Sequence, residues 1–378
     1  MKLGILLPTS KLYPSLMIDF SAGVRMAITE FGQAENIEII FESIHQGTDK
    51  NVVLNAVNKL VLQHQTDANI LFTNFLLMED IVSSLNALQT PLIITNIGGN
   101  APLFFDHGEY IFSNSFGLWE SAFKAAQWAV ERFGPKTAYG SYFYEAGYGL
   151  YSAFCDGLSK SGGEVIFNQV SEFNPNPDDF SIFEKQMEIE SPNFLYMLYS
   201  ERDAVGFLNK LNASQMNGKY PIVTSGVLIN DEILDKVEGS PKEIFNVSSW
   251  DLSDDSSMNL AFIKEFRSLN GKEANYFSLL GYECAGLICS AMKNEKWEMK
   301  GQSRADAIKN AEYIGPRGNL NFKNSNATIA QQNVYALNES MKRVKIAELG
   351  EMDARDEVLE RLKLSANPSG WFQPYLCQ

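Results

Sequence analysis

Small polar residues follow several apolar segments of this chain, at the points where each segment ends. Thr73-Asn74 follows one such segment, Thr95-Asn96 with Gly98-Gly99-Asn100 follows another, and Ser200-Glu201 follows a third. Hydroxyls, amides and the backbone N–H groups of glycine turns can bind a small polar or anionic ligand. None of these groups is by itself catalytic. The pattern therefore favours a binding site over an active site.

Further hydroxyl and aromatic residues stand at the ends of the predicted strands, at the edges of the expected cleft, and complete the predicted ligand contacts. Aromatic side chains offer a ligand an apolar face, and Tyr and Trp add a polar group. Several of these residues also have a purely structural alternative. The aromatic rings could pack in the core or at its rim, and Gly98-Gly99 could form a plain turn. Glu201 could be a surface glutamate at the start of a helix, where acids are favoured. The additional predicted contacts are Ser10, Tyr13, Phe75, Tyr144, Tyr148, Ser225 and Trp250.

Residues that would support catalysis or bind a metal are scattered. His45, His64 and His107 are far apart in sequence, and the chain has no GxSxG, HExxH or Ser/His/Asp arrangement. Asp254 and Asp255 precede two serines, an arrangement typical of a helix N-cap. We predict no enzyme activity, no cofactor and no metal site.

The four cysteines lack the spacing of a zinc site. Cys284 and Cys289 are expected on one helix, five residues apart, where their side chains point to different faces. Both are predicted to be buried thiols.

Apolar segments alternate with helical patterns along most of the chain. Residues 16–31 place Met17, Phe20, Val24 and Ile28 on one helical face. Strands that are apolar throughout and alternate with helices predict parallel sheets covered on both faces, which bind ligands at the carboxyl ends of their strands. The predicted strands are 2–8, 37–41, 69–75, 91–97, 137–143, 164–170, 194–200, 221–226 and 244–250. A turn-rich loop is expected at 174–179.

Length and charge restrict the class of protein further. A chain of 378 residues favours two domains, and a net charge of −15 disfavours nucleic acid as a partner. No segment approaches the length of an apolar membrane span, and the N-terminus does not read as a signal peptide. Either a signal is missing from this sequence, which predicts a periplasmic or lipid-anchored location, or Met1 is native, which predicts a cytoplasmic one.

Six segments, in order, resemble type I periplasmic binding proteins of the branched-chain amino-acid (Leu/Ile/Val) group. Tyr148-Gly149 with Asp179-Phe180-Ser181 is similar to the family's "YG … DF" spacing, and residues 281–285 are similar to its late "GYDA" helix. The resemblance runs to about Asn338. The other matching segments are 4–10, 19–27, 93–102 and 315–322.

The resemblance implies an α/β fold of two Rossmann-like lobes with parallel sheets, joined by three hinge crossovers. Lobe one is expected at 1–118 plus 251–310, lobe two at 119–250 plus 311–340, and a C-terminal extension at 341–378. It also implies a solute-binding protein of an ABC importer, with a membrane permease as partner. An amino-acid-like or organic-acid solute would be held in the cleft by hinge closure.

Two departures from the family pattern concern the ligand. The family binds a ligand carboxylate at two turns of lobe one, which correspond here to residues 73–75 and 95–100. Phe75-Leu76-Leu77 stands where the family has small glycine and serine residues, and residues 114–118 lack the usual acid. We therefore hypothesise a ligand other than a standard branched-chain amino acid, such as an aromatic or aliphatic acid or an amide. A cytosolic sensor of the same fold that responds to a small amide and regulates a protein partner is the alternative.

Overall fold

Strands and helices alternate along the chain, and the alternation builds two α/β lobes. The computed structural model describes residues 1–172, 179–323, 325–365 and 370–375. The first lobe begins with β1 (Lys2–Leu7), α1 (Leu16–Glu30), β2 (Glu38–Ser43), α2 (Lys50–Asn58), β3 (Ala68–Phe72), α3 (Phe75–Ala87), β4 (Leu92–Asn96) and β5 (Ile111–Ser115). A π-helical turn, Lys59–Gln63, continues directly from α2.

The chain then crosses to the second lobe and forms most of it without interruption. Its elements are α4 (Leu118–Phe133), β6 (Lys136–Ser141), α5 (Leu150–Lys160), β7 (Glu164–Val170), α6 (Asp179–Glu190), β8 (Phe194–Leu198), α7 (Glu201–Asn212), β9 (Ile222–Ser225), α8 (Asp231–Leu234) and β10 (Ile244–Ser248). Most of the loop predicted at 174–179 lies outside the described residues, and Asp179 itself begins α6.

The last third of the chain contributes to both lobes. It forms α9 (Ser257–Asn270), α10 (Tyr276–Ala291), α11 (Gln302–Lys309), β11 (Tyr313–Gly315), β12 (Gly318–Leu320), β13 (Gln332–Leu337), β14 (Arg343–Gly350) and α12 (Arg355–Ser365). Ser256 caps α9 through its side chain, which confirms the N-cap predicted after the aspartates. Cys284 and Cys289 are buried thiols on α10, as predicted.

Each lobe is built on its own sheet. The first has the order β2-β1-β3-β4-β5 and is parallel throughout. The second has the order β14-β13-β10-β9-β8-β6-β7, in which β13 alone is reversed and pairs antiparallel with both β10 and β14, among the strands that the structure describes. The predicted α/β class with two parallel-sheet lobes is confirmed, and the reversed strand β13 with its edge neighbour β14 is an addition that the sequence pattern did not reveal.

Glycines allow close helix contacts in both lobes. In lobe one, a Cβ on Gly23 of α1 would lie 2.0 Å from the Ser278 carbonyl oxygen of α10. In lobe two, a Cβ on Gly157 of α5 would lie 2.3 Å from the Phe123 carbonyl oxygen of α4. Because no side chain fits at either crossing, glycine is required there for the helices to pack at this distance.

Three passages of the chain connect the lobes: β5 to α4, β10 to α9, and β12 to β13. Arg317, in the turn between β11 and β12, joins the first two passages. Its guanidinium donates to Glu283 (Nε to Oε1, 3.0 Å), to the Ser115 carbonyl oxygen (2.8 Å) and to Ser249 Oγ (3.3 Å). The side chains of Arg317 and Glu283 are fully buried, so this ion pair lies in the interior beside the hinge.

The contacts draw the lobe boundaries differently from the expected ones. The β11–β12 hairpin packs on α9 and α10 of lobe one, whereas the sequence placed residues 311–340 in lobe two. In the expected extension at 341–378, the described elements β14 and α12 belong to lobe two, since β14 is part of its sheet and α12 packs on α5. Arg361 of α12 also pairs with Asp156 of α5 (2.8 Å).

Candidate functional site

The carboxyl ends of strands from both lobes meet across a cleft. The backbone N–H of Gly149, which precedes α5, donates to the Gly99 carbonyl oxygen (3.0 Å) and to Asn100 Oδ1 (2.9 Å). The Tyr148 ring packs on Gly99, where a Cβ would lie 2.8 Å from it. These contacts bring the lobes together at the turns that the sequence predicted to bind a ligand.

A cavity of about 190 Å³ lies in this cleft beside the hinge. Lobe one contributes Tyr13, Phe116 and Tyr276 to its wall, and lobe two contributes Gly226 and Asn246. Trp250, on the second passage between the lobes, completes the aromatic lining and donates from Nε1 to Asn259 (2.7 Å). The structure thus brings Tyr13 and Trp250, both predicted contacts, to one enclosed space of the size of a small organic molecule.

Tyr13 is the centre of the aromatic lining. Its ring meets the rings of Tyr276 and Phe277 edge-on, with centroids 6.3 and 5.3 Å away. Its hydroxyl forms hydrogen bonds with the Tyr276 hydroxyl and with the Glu201 carboxyl. Burial raises the pKa of Tyr13 well above its usual value, so the phenol remains protonated.

Sequence reasoning missed Tyr276 and the acids of the cavity wall. Tyr276 is the first residue of α10, and Asn275 caps that helix with a complete capping box. A capped helix start directly followed by an aromatic residue was the available signal. The capping motif fixes where α10 begins and so determines where this ring enters the cleft.

The charged lining of the cavity is predominantly acidic. Among the described residues that line it, Arg343 is the one cation, and it is paired with Asp231 (2.8 Å) and Asp251 (2.6 Å). Glu232 and Glu273 also line the cavity, and Glu273 pairs with Arg267 outside it (2.7 Å). The remaining negative charge favours a ligand that carries a positive group at this end.

Glu201 lies at the lobe-two side of the cleft in a strained conformation. It follows β8, begins α7, and has φ of +45°, a left-handed value that costs an L-residue about 1–2 kcal/mol. Burial raises the pKa of its carboxyl. Strained, partly desolvated residues are found at ligand sites, because the surrounding structure holds them in place for a purpose other than stability.

Glu145 is a second desolvated acid near the same strand ends. It lies in a 3₁₀ turn after β6, is 1% exposed, and accepts a hydrogen bond from Ser200 Oγ. Burial raises the pKa of Glu145 to about 7. Within the described part of the chain, its Oε2 atom has no hydrogen-bond partner. Ser200, a predicted ligand contact, therefore uses its hydroxyl to hold the Glu145 carboxyl in place.

The predicted turns of lobe one are assembled by their own side chains. Thr73 and Thr95 are buried, and Thr73 donates to the Gly47 carbonyl oxygen (3.3 Å). Asn96 joins the two turns by donating to the Thr73 carbonyl oxygen (2.8 Å) and accepting from the Gly98 N–H (2.8 Å). Gly98 has φ of +78°, and a Cβ there would lie 2.7 Å from Gly117. The hydrogen bonds of Thr73 and Asn96 and the backbone of Gly98 therefore fix the conformation of these turns.

Three other predicted contacts do not line the cavity. Phe75 is not in a turn but begins α3, and it packs against Phe105 in a core cluster of lobe one. Ser225 is buried and bonded to Tyr196 (2.7 Å). Ser10 accepts from the Tyr13 N–H (3.0 Å) and so orients that residue.

Residues 370–375, near the C-terminus, lie against the remaining predicted contacts. Asn74 and Asn100 both donate to the Trp371 carbonyl oxygen (3.2 and 3.1 Å). The Tyr148 hydroxyl donates to the Tyr375 carbonyl oxygen (2.7 Å), and the Tyr144 ring contacts the Trp371 ring with centroids 5.8 Å apart. The sequence did not predict that its own terminus would meet these side chains.

The described residues offer little chemistry outside the cleft. They contain no cluster of His, Cys, Asp and Glu that could hold a metal ion. His107 is half-buried beside Phe105 and bonds to Ser113, and desolvation lowers its pKa to about 4. A larger groove of about 1060 Å³ lies on the outer face of lobe one between α1 and α9, away from the strand ends.

Comparison with known proteins assigns the fold to a family. The family model described as "Periplasmic binding protein" matches residues 1–338. An ABC transporter substrate-binding protein from Sphaerobacter thermophilus is 18% identical, with a TM-score of 0.80 over 93% of this chain and 98% of that one. Comparison with curated proteins finds no match to this sequence.

Two further structures of similar fold contain different ligands. An R. palustris solute-binding protein in complex with benzoate is 18% identical, with a TM-score of 0.73 over 93% of this chain and 96% of that one. A branched-chain amino acid transporter substrate-binding protein from Streptococcus pneumoniae, in complex with isoleucine, is 16% identical, with a TM-score of 0.66 over 92% and 99%.

The chain therefore belongs to the periplasmic binding protein family, as the resemblance in its sequence indicated. Its fold is that of the ABC transporter substrate-binding proteins, which bind small molecules. In the part of the chain that the structure describes, no helix has the length and apolarity needed to cross a bilayer.

Proposed function

We propose that this protein is the extracytoplasmic solute-binding component of an ABC importer and delivers its solute to a membrane permease. The solute is a small amino-acid-like or organic-acid molecule, held between the lobes by closure about the hinge, and it is bound without being chemically changed. The observation that carries the proposal is the aromatic cavity between the lobes, to which both lobes and the hinge residue Trp250 contribute.

The acids around the cavity support an amino-acid-like solute in particular. Glu232 lines the cavity at the lobe-two side, Glu201 reaches it through its hydrogen bond with Tyr13, and Arg343 is already paired with two aspartates. An ammonium group would be stabilised there, while the rings of Tyr13 and Tyr276 would cover an apolar or aromatic side chain. Such a solute differs from a simple aromatic acid, which has no positive group to place against Glu201.

A thermal-shift screen of the purified protein tests this function. The panel contains branched-chain and aromatic amino acids, benzoates, aliphatic acids, amides and polyamines. A solute at about 100 times its Kd adds roughly 2.7 kcal/mol to the free energy of unfolding, and calorimetry then gives its Kd. We expect amino acids with an aromatic or large apolar side chain to give the largest shifts. Absence of any shift across the panel would contradict a solute-binding role.

Two variants locate the site. Tyr276→Ala removes one aromatic wall and should weaken binding about tenfold or more, because buried aromatic contacts carry much of the affinity at such sites. Glu201→Gln should weaken binding of ammonium-bearing solutes and leave benzoates unaffected. Glu188→Gln is the matched control, since Glu188 pairs with Lys219 on the surface of lobe two. Equal affinities for all three variants would place the site elsewhere.

A further inference from the structure

The described C-terminal residues, 370–375, occupy the corner of the cleft that a ligand carboxylate is expected to fill. Asn74 donates to the Trp371 and Gln373 carbonyl oxygens (3.2 and 3.1 Å). The Ile97 N–H, in the second predicted turn, donates to the Pro374 carbonyl oxygen (3.4 Å). The donors of both lobe-one turns therefore point at acceptor atoms of the chain's own terminus.

The chemistry of these contacts is that of a bound anion. Carbonyl oxygens, like carboxylate oxygens, only accept hydrogen bonds, so segment 370–375 satisfies donors that would otherwise be buried without partners. The Tyr148 hydroxyl, on the lobe-two side, also donates to the segment, at the Tyr375 carbonyl oxygen (2.7 Å). The segment presents its backbone oxygens to donors from both sides of the cleft.

The segment also contacts the ligand cavity and lobe two through its side chains. The Tyr375 ring lies 5.9 Å from that of Tyr13, and its hydroxyl donates to the Thr9 carbonyl oxygen (3.2 Å). The backbone N–H of Trp371 donates to the Gly147 carbonyl oxygen (3.0 Å), and the Trp371 indole lies where a Cβ on Gly147 would be. The segment thus bridges the lobes next to the cavity.

We propose that segment 370–375 is an intramolecular competitor for the carboxylate of the solute, an inference that rests on the proposed function. In the unloaded protein its carbonyl oxygens take the donors of the lobe-one turns, and an acidic solute binds after displacing it. Because charged acceptors make stronger hydrogen bonds than neutral ones, a carboxylate displaces the segment and an uncharged solute does not. The segment therefore selects for carboxylate-bearing solutes, and it lowers their apparent affinity in proportion to the fraction of molecules in which it is bound.

Substitutions in the full-length chain test the competition. Trp371→Ala/Tyr375→Ala removes the two side chains that anchor the segment and leaves Asn74, Asn100 and Tyr148 in place. Leu364→Ala is the matched control, because Leu364 lies on α12, just before the segment, and is 88% exposed. Calorimetry gives the Kd of the carboxylate solutes found in the screen, and hydrogen exchange follows the Ile97 N–H in the absence of solute.

The expected result is a Kd at least tenfold lower for carboxylate solutes in the double variant, with no change in the control. The Ile97 N–H should exchange faster in the double variant and become protected again when solute is added. A synthetic peptide with the sequence of residues 366–378 should raise the Kd of the double variant towards that of the unmodified protein. An unchanged or weakened affinity in the double variant, or a peptide that fails to compete, would overturn the proposal and make the segment a fixed wall of the site.

Failure of the proposed function gives a different result. In that case neither the unmodified protein nor the double variant binds any solute of the panel. The peptide should still bind the double variant, and it should no longer bind a variant that also carries Asn100→Ala, because Asn100 donates to the segment. This result would support the binding position of the segment even without a solute. If the peptide does not bind and hydrogen exchange at the Ile97 N–H is unaltered, the binding position of the segment is rejected as well.

Discussion

The hinge and the cleft both bury acidic side chains, but the two regions differ in how completely those side chains are paired. At the hinge, Glu283 is paired with Arg317, whose guanidinium also donates to Ser115 and Ser249. In the cleft, Glu145 is almost as deeply buried, but none of the described residues pairs a cation with it, and its carboxyl accepts only from the Ser200 hydroxyl and from backbone N–H groups of Glu145 and Ser200. A fully paired buried charge fixes a structure, whereas an incompletely satisfied one stores unfavourable free energy that a ligand can relieve.

Loss of the hinge pair should have the largest effect. Arg317→Met leaves the Glu283 carboxylate buried without its partner, which typically costs about 3–5 kcal/mol in the free energy of unfolding. Chemical denaturation measures the change. The double variant Arg317→Met/Glu283→Gln is the control and should recover much of the loss, since it removes the charge that was left unpaired. A loss below about 1 kcal/mol for Arg317→Met would show that water reaches the pair.

The acid in the cleft should make stability depend on pH. The pKa of Glu145 is raised to about 7 from an ordinary value of 4.5, so the folded state holds a proton that the unfolded state releases between these values. Its contribution to stability therefore falls as the pH rises from about 4.5 to 7 and is constant above that. Glu145→Gln removes this penalty, about 3 kcal/mol at 1.36 kcal/mol per pH unit.

Urea denaturation at pH 5 and pH 8 distinguishes this effect from a simple change in packing. The stability difference between Glu145→Gln and the unmodified protein should be several times larger at pH 8. The exposed Glu188→Gln should give a difference that is the same at both pH values. An equal gain for Glu145→Gln at pH 5 and pH 8 would mean that the carboxyl is ionised throughout.

Relief of the strained backbone in the cleft should have a smaller effect. Glu201→Gly accommodates φ of +45° without strain and should stabilise the fold by about 0.5–1 kcal/mol, after allowance for the entropy of glycine in the unfolded chain. It should also weaken solute binding. Ser191→Gly is the matched control, because exposed Ser191 has φ of +48° outside the cleft. Both variants should be stabilised, and only Glu201→Gly should lose affinity.

An exposed ion pair should contribute least. Lys50 and Asp80 pair across α2 and α3 at 3.1 Å, with about half of each side chain exposed. Lys50→Met should change the free energy of unfolding by less than about 0.5 kcal/mol, since solvent screens such pairs. A thermal or urea melt in low and high salt measures it. If Lys50→Met changed the free energy of unfolding as much as Arg317→Met does, buried and exposed ion pairs would contribute equally to stability, contrary to this expectation.

Most strands were predictable because their residues are apolar throughout, a pattern typical of parallel strands covered on both faces. The short strand β5 (Ile111–Ser115) was missed, since three of its five residues are polar. Phe75 was assigned to a strand end, yet Asn74 caps the helix that begins at Phe75. An Asn before an apolar run is a helix start signal, and here the continuous apolarity of residues 70–72 and 75–78 obscured it.

The sequence by itself determined the alternation of elements, the α/β class and the turns at which the strands end, because periodicity and capping are local properties of the chain. Only the tertiary structure decided which of those turns meet. Tyr276 reaches Tyr13 across about 260 positions, and Asn74 reaches Trp371 across 297. Such contacts depend on how the two sheets and the hinge position distant segments. No local pattern encodes that arrangement, so the occupation of the cleft by the C-terminal segment could be seen only in the fold.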